Sequence, residues 1–411
     1  MSEHPNRPRR SASARALLPT LRIPWTGARL PARARAAAAA DRVPLAAHDM
    51  GPAGAVSGAV AWLARAQDCS RSADGGVARH YSLLTGWANS YPETTGYIIP
   101  TLLEAAQACS RPQLMERARR MLDWLVSIQL SGGGFQGGTI DQTPIVPVTF
   151  NTGQILIGLA AGARHFDEPR YHGAMHAAAR FLRDSQDADG AWRQHRSPFA
   201  KSDDKVYETH VSWGLFEAAR LAPDHGYQEA GLRQVEWAIG HQLPNGWFED
   251  NCLNDSNAPL THTIGYTLRG VLEAYRSSGK REFLAAALLT ANALGDCLEP
   301  DGRLVGRFNR DWQPCVDYAC LTGSAQIAIC WFMLTEMGQD VRFAELACRA
   351  NAFVRRTIQL GGDPNTAGGV KGSHPIDGEY GCFQYLNWAA KFAVDANLCE
   401  LHYLGSDGVR R

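Results

Sequence analysis

The chain predicts an all-α fold, an (α/α)6 toroid of six helical hairpins arranged as an inner and an outer ring. Three observations carry this. First, one block recurs. TGYIIPTLLEAA, TGQILIGLAAGA and IGYTLRGVLEAY, around Gly96, Gly153 and Gly265, share a frame with HVSWGLFEAARL from His210 and TGSAQIAICWFM from Thr322. Glu104, Ala161, Glu217, Glu273 and Trp331 mark that frame at separations of 57, 56, 56 and 58 residues. Such a period is one helical hairpin per repeat. Second, two kinds of helix alternate. Third, a Gln-containing turn closes helices of one kind only.

The outer helices are expected at 55–68, 114–130, 171–187, 228–243, 281–298 and 341–360, rich in Ala, Leu and Arg with one polar face. The inner helices, at 93–108, 150–165, 208–221, 262–277, 318–337 and 383–403, are more apolar all round, as buried helices are. Outer helices end in a repeated phrase: Trp62-Leu63-x3-Gln67, Trp124-Leu125-x3-Gln129, Phe181-Leu182-x3-Gln186 and, more loosely, Trp237-Ala238-x3-Gln242. A Gly-rich turn comes after each Gln. Glycine supplies the left-handed residue that ends a helix, and the Gln side chain is placed to bond backbone left unpaired there.

Composition narrows the partners. Lys+Arg and Asp+Glu number 41 each, which gives no basis for a nucleic-acid partner. No apolar run approaches the roughly 20 residues that span a bilayer. The ten cysteines are scattered without a CxxC pair, which reads as reduced, buried thiols of a cytoplasmic protein. Residues 1–50 differ from the rest: between Glu3 and Asp41 there is no acid, while Arg, Pro and Ala dominate. They are expected to form a disordered tail, with Met50 as an alternative start, ahead of one toroid domain over 51–411.

Gln186-x3-Gly190-x-Trp192, preceded by Phe181-Leu182, resembles the QW repeat of terpenoid cyclases and is similar to turns of protein prenyltransferase β subunits, polysaccharide lyases, unsaturated glucuronyl hydrolases and other six-hairpin glycosidase-like proteins. The resemblance covers roughly residues 55–405 and implies the toroid, not a chemistry. YPETTGYIIPTLLEA and YLNWAAKFAVDANL also look like a bacterial six-hairpin group associated with surface-polysaccharide loci.

In such a toroid the starts of the inner helices line the central cavity. The side chains there are polar and aromatic: Tyr91 and Glu93; Asn151; Tyr207, Glu208 and His210; His262 and Tyr266; Asp317 and Tyr318; Asn387, Trp388 and Lys391. Isoprenoid cyclisation would be expected to carry DxDD or DDxxD, and neither occurs. A zinc prenyltransferase reading rests on Asp317 and Cys320 but finds no convincing third ligand, so no metal and no cofactor is expected. A site for an acidic oligo- or polysaccharide fits better. Hydrolysis asks for two facing carboxyls, for which Glu93 and Glu208 are the pair by repeat position. β-Elimination asks for a base or acid, here His210, His262, Tyr266 or Tyr318, and a neutraliser for the sugar carboxylate, here Asn151, Asn387 or Lys391. Tyr91, Tyr207 and Trp388 would supply sugar platforms. A toroid that binds glycan or protein without turnover remains open, as does the oligomeric state. The Gly-rich loop 361–382 is long enough to cover the mouth.

Overall fold

The amphipathic and the all-apolar helices sort as their patterns require. The structure, a computed structural model, describes residues 30–410 with the exception of Ser202. After α1 (Ala32–Ala40), an outer set comprises α2 (Gly51–Asp68), α4 (Gln113–Ile128), α6 (Pro169–Asp184), α8 (Tyr227–Ile239), α10 (Arg281–Asp296) and α12 (Arg342–Arg356). The inner set is α3 (Pro92–Ala108), α5 (Thr149–Phe166), α7 (Thr209–Leu221), α9 (Thr261–Ser278), α11 (Leu321–Glu336) and α13 (Asn387–Arg410). Each inner helix packs on the next inner helix, and α13 returns to α3, so the ring closes. Inner helices α3 to α11 each pair with the outer helix next in sequence. The sixth, α13, pairs with α2, which joins the two ends of the toroid.

The repeated glycines mark where the inner helices touch. A Cβ at Gly158 would lie 2.1 Å from the carbonyl oxygen of Gly96, and one at Gly96 would lie 2.4 Å from Ile155 Cα. Backbone meets backbone at that crossing, so no side chain fits. The glutamines act as their position suggests. Gln186 Nε2 donates to the carbonyls of Gly190 in its own turn (2.9 Å) and Ala230 on the next outer helix (2.8 Å), and Gln129 does the same with Gly133 (2.8 Å) and Ala174 (3.0 Å). One amide therefore closes a turn and ties neighbouring hairpins.

Three features depart from the sequence reading. Residues 30–50 are ordered rather than a tail: Ala34 and Ala38 of α1 are buried against the toroid, and Arg33 Nε donates to the Leu83 carbonyl at 2.7 Å. Residues 1–29 lie outside the described residues. Short strands frame the mouth, in the order β2-β1-β5: β1 (His80–Ser82) pairs antiparallel with both β2 (Gly86–Trp87) and β5 (Gln384–Leu386). A second pair joins β3 (Ala319–Cys320) to β4 (Ser373–His374). These strands displace the first residues of the helices expected to begin at 318 and 383. The cysteines are free thiols, but only Cys252, Cys320 and Cys330 are buried, while Cys69, Cys315 and Cys382 are exposed. No described helix is long and apolar enough to cross a membrane.

Candidate active site

A cavity of about 600 Å³ opens at the end of the toroid where the inner helices begin. Glu93 stands on its wall in the first turn of α3, where Pro92 starts the helix and an acid suits the helix dipole. Its Oε2 accepts hydrogen bonds from the Tyr91 hydroxyl (2.7 Å) and from Asn151 Nδ2 on α5 (2.8 Å). Burial pushes the carboxyl up to about 7, against the Tyr91 hydrogen bond and the nearby Arg79 charge, which pull it down.

His262 stands in the first turn of α9, on the same cavity. Its Nδ1 lies 2.7 Å from Gln326 Oε1 on α11. With that oxygen as acceptor, Nδ1 carries the hydrogen and Nε2 keeps its lone pair. Burial lowers the imidazole to about 4, so it is neutral at ordinary pH. Between the two groups the floor is aromatic. The Tyr97 and Tyr266 hydroxyls are 3.4 Å apart, the Tyr266 ring lies 4.4 Å from the His262 ring, and Phe150 meets Tyr266 and Tyr207 edge-on at 5.3 and 5.1 Å. The repeat explains the tyrosines, because Tyr97 and Tyr266 each come directly after the frame glycine.

Arg79, contributed by the residue before β1, lies over Trp388 at 5.0 Å and Tyr91 at 5.8 Å. It forms no ion pair with a carboxylate among the described residues. Its guanidinium donates to His80, whose Nδ1 is 3.0 Å from Nη1 and whose pKa burial lowers to about 3. Tyr380, from loop 361–382, completes this side: its hydroxyl accepts from Trp388 Nε1 at 2.8 Å and its ring is 5.5 Å from His262.

Of the residues singled out by sequence, Glu93, His262, Tyr91, Asn151, Tyr207, Tyr266 and Trp388 line this cavity together. Six do not. Glu208 ends the short 3-10 turn Val206–Glu208 and is buried, next to the lining Tyr207 but not itself among the lining residues, its carboxyl pushed up to about 8 by burial while Arg196 and Lys205 act in the other direction. His210 is fully buried behind Tyr266 (4.4 Å) and bonds Gln154 at 2.6 Å. Tyr318 turns to Arg307 (3.2 Å) and Glu379, and Asp317 is exposed on a loop. Asn387 donates to the Ala78 carbonyl at 3.0 Å, holding the mouth strands to α13. Lys391 is a buried ion pair with Asp395 at 2.6 Å, beneath the Tyr97 ring. Sequence reasoning missed Arg79, Tyr97, Phe150 and Tyr380. Among the described residues no three His, Cys, Asp or Glu side chains converge to hold a metal.

No family model matches the sequence, and no curated protein matches it. Solved structures do match. An unsaturated glucuronyl hydrolase specific for heparin aligns over 86% of this chain and 98% of its own, with a TM-score of 0.68 and 15% identity. Cellobiose 2-epimerase from Bacillus thermoamylovorans aligns over 83% and 96%, with a TM-score of 0.66 and 11% identity. A polysaccharide lyase aligns over 86% and 98%, with a TM-score of 0.58 and 11% identity. The chain therefore has the (α/α)6 toroid fold of these enzymes. Identity this low speaks to fold alone, and nothing in the comparisons connects the chain with surface-polysaccharide loci.

Proposed function

We propose that the protein is a carbohydrate-active enzyme that cleaves an acidic oligo- or polysaccharide at this cavity. The observation that carries the reading is that Glu93 and His262 line one cavity from opposite sides of the inner ring, at the starts of α3 and α9, with their proton affinities shifted in opposite directions, beside an arginine that has no carboxylate partner among the described residues. Groups driven apart in this way are the signature of an assigned acid and base. The raised Glu93 carboxyl holds a proton to give at pH values where an ordinary carboxylate has lost it, while the neutral His262 has a lone pair to accept one.

In the β-elimination reading, a uronate ring rests on the aromatic floor with its carboxylate at Arg79. Charge neutralisation there acidifies the adjacent C–H. His262 takes that proton, the electron pair forms a C=C bond, and the bond to the glycosidic oxygen breaks as Glu93 protonates it. Proton return from His262 to Glu93 through solvent resets the site. In the hydrolytic reading Glu93 protonates the same oxygen while His262 takes a proton from water. Neither reading uses Glu208, which is not among the residues lining the cavity. The names of the fold neighbours, a glucuronyl hydrolase and a polysaccharide lyase, support an acidic saccharide as the substrate class.

The two readings separate in one assay on uronate-containing oligosaccharides. Elimination yields new chain ends together with the ultraviolet absorbance of an unsaturated uronate. Hydrolysis yields new reducing ends without it. Ends from neutral glycans only would remove the acidic substrate class from the proposal.

A further inference from the structure

The segment before the toroid is tied to the loop that lines the cavity by one buried carboxylate. Asp41 comes directly after α1. Its Oδ1 pairs with Lys371 Nζ, and its Oδ2 accepts the Ile376 amide at 2.8 Å, with His374 Nδ1 3.6 Å away. The Asp41 and Lys371 side chains are 7% and 6% exposed, so both charges are removed from water. Asp41 thus grips the stretch 371–376 at both ends. That stretch in turn shapes residues 377–383. Ser373 Oγ donates to the Tyr380 carbonyl at 2.7 Å, the Gly378 amide to the Pro375 carbonyl at 3.0 Å, and the Phe383 amide to the Ile376 carbonyl at 2.8 Å. Tyr380 is the residue this fold presents to the cavity, against Trp388 and His262.

We infer that Asp41 is a positioning residue of the active-site wall: it holds loop 371–382 so that Tyr380 stands in the cavity, and residues 30–49 belong to the site's scaffold. A second contact of the same segment provides the contrast. Arg42 pairs with Asp377 at 2.6 Å, but the side chains are 62% and 31% exposed, and an ion pair in that setting holds little. The anchoring is therefore assigned to the buried pair and not to the segment's charge in general. This inference does not depend on which reaction the cavity performs.

The test is amide hydrogen exchange of the full chain together with the indole N–H resonances of Trp388 and Trp213. In Asp41→Asn, exchange over 371–382 accelerates on the order of a hundredfold, because Lys371 is left as an unmatched buried charge. The Trp388 indole resonance moves, since its acceptor is the Tyr380 hydroxyl. Peptides of α5 and the Trp213 indole, which donates to Glu217, stay as in the wild type. Arg42→Ala changes the loop by no more than about twofold. Asp41→Glu keeps the charge but displaces the acceptor of the Ile376 amide, and produces a smaller acceleration confined to the same loop, which serves as the reading should Asp41→Asn fail to fold. Exchange over 371–382 unchanged in both Asp41 variants, acceleration spread evenly along the chain, an equal response to Arg42→Ala, or an unmoved Trp388 indole would each overturn the inference.

Discussion

Asn151 Nδ2 donates to Glu93 Oε2 at 2.8 Å, bridging the starts of two neighbouring inner helices. Together with the Tyr91 hydroxyl it occupies one carboxyl oxygen and fixes the orientation of the acid. The arrangement holds Glu93 in place without overcoming its burial, so the proton affinity stays high.

That burial has a stability consequence with a definite sign. A carboxyl whose folded pKa is raised favours the folded state only while it is protonated. The contribution is fully present below the unfolded value near 4 and is lost as pH rises through about 7. Glu93→Gln removes the liability while leaving an acceptor for Tyr91 and Asn151. Denaturant unfolding should show the variant more stable than the wild type at pH 8 by roughly 1–3 kcal/mol, with little difference at pH 4.

Turnover should show a bell-shaped pH profile. The acidic limb reflects protonation of His262 near 4 and the alkaline limb loss of the Glu93 proton near 7, each limb falling about tenfold per pH unit. Glu93→Gln should abolish the alkaline limb along with most of the rate.

Arg79 is the expected reader of substrate charge. Arg79→Gln should weaken binding of an acidic oligosaccharide by about tenfold or more, the worth of one charge-assisted contact. Binding of the corresponding neutral glycan, measured by calorimetry, should change little.

The space around two glycines, one on the inner ring and one on the outer, predicts opposite outcomes for them. Gly158→Ala forces α3 and α5 apart and should cost about 1–3 kcal/mol or more in thermal or denaturant unfolding. Gly173, exposed on α6 with nothing within 4 Å of an added Cβ, should gain about 0.5–1 kcal/mol as Ala.

The twelve ring helices were legible because each writes its own periodicity, and because the frame glycines and turn glutamines answer to contacts repeated around the ring. The cavity was only partly legible. Repeat position placed Glu93, Asn151, His262 and Tyr266 on its wall. It also pointed to Glu208, but of the 3-10 turn before α7 it is Tyr207 that lines the cavity, and Glu208 is not among the lining residues. Arg79 and Tyr380 were missed for another reason. Strand β1 pairs with β5 about three hundred residues away, and Tyr380 depends on Asp41 from the far end of the chain. Pairing over that distance leaves no local pattern. The start of the chain read as a tail because Arg, Pro and Ala dominate it and no acid occurs between Glu3 and Asp41, whereas α1 docks through the buried Ala34 and Ala38.

The most direct test of the central claim is to compare the wild type with Glu93→Gln on a panel of uronate-containing and neutral oligosaccharides, recording both binding and new chain ends. The account predicts that the wild type releases ends from the acidic glycans, and that Glu93→Gln binds them equally well but turns over about 10²–10⁴ times more slowly. Acidic glycans that bind but are never cleaved, or a Glu93→Gln variant as fast as the wild type, would contradict it.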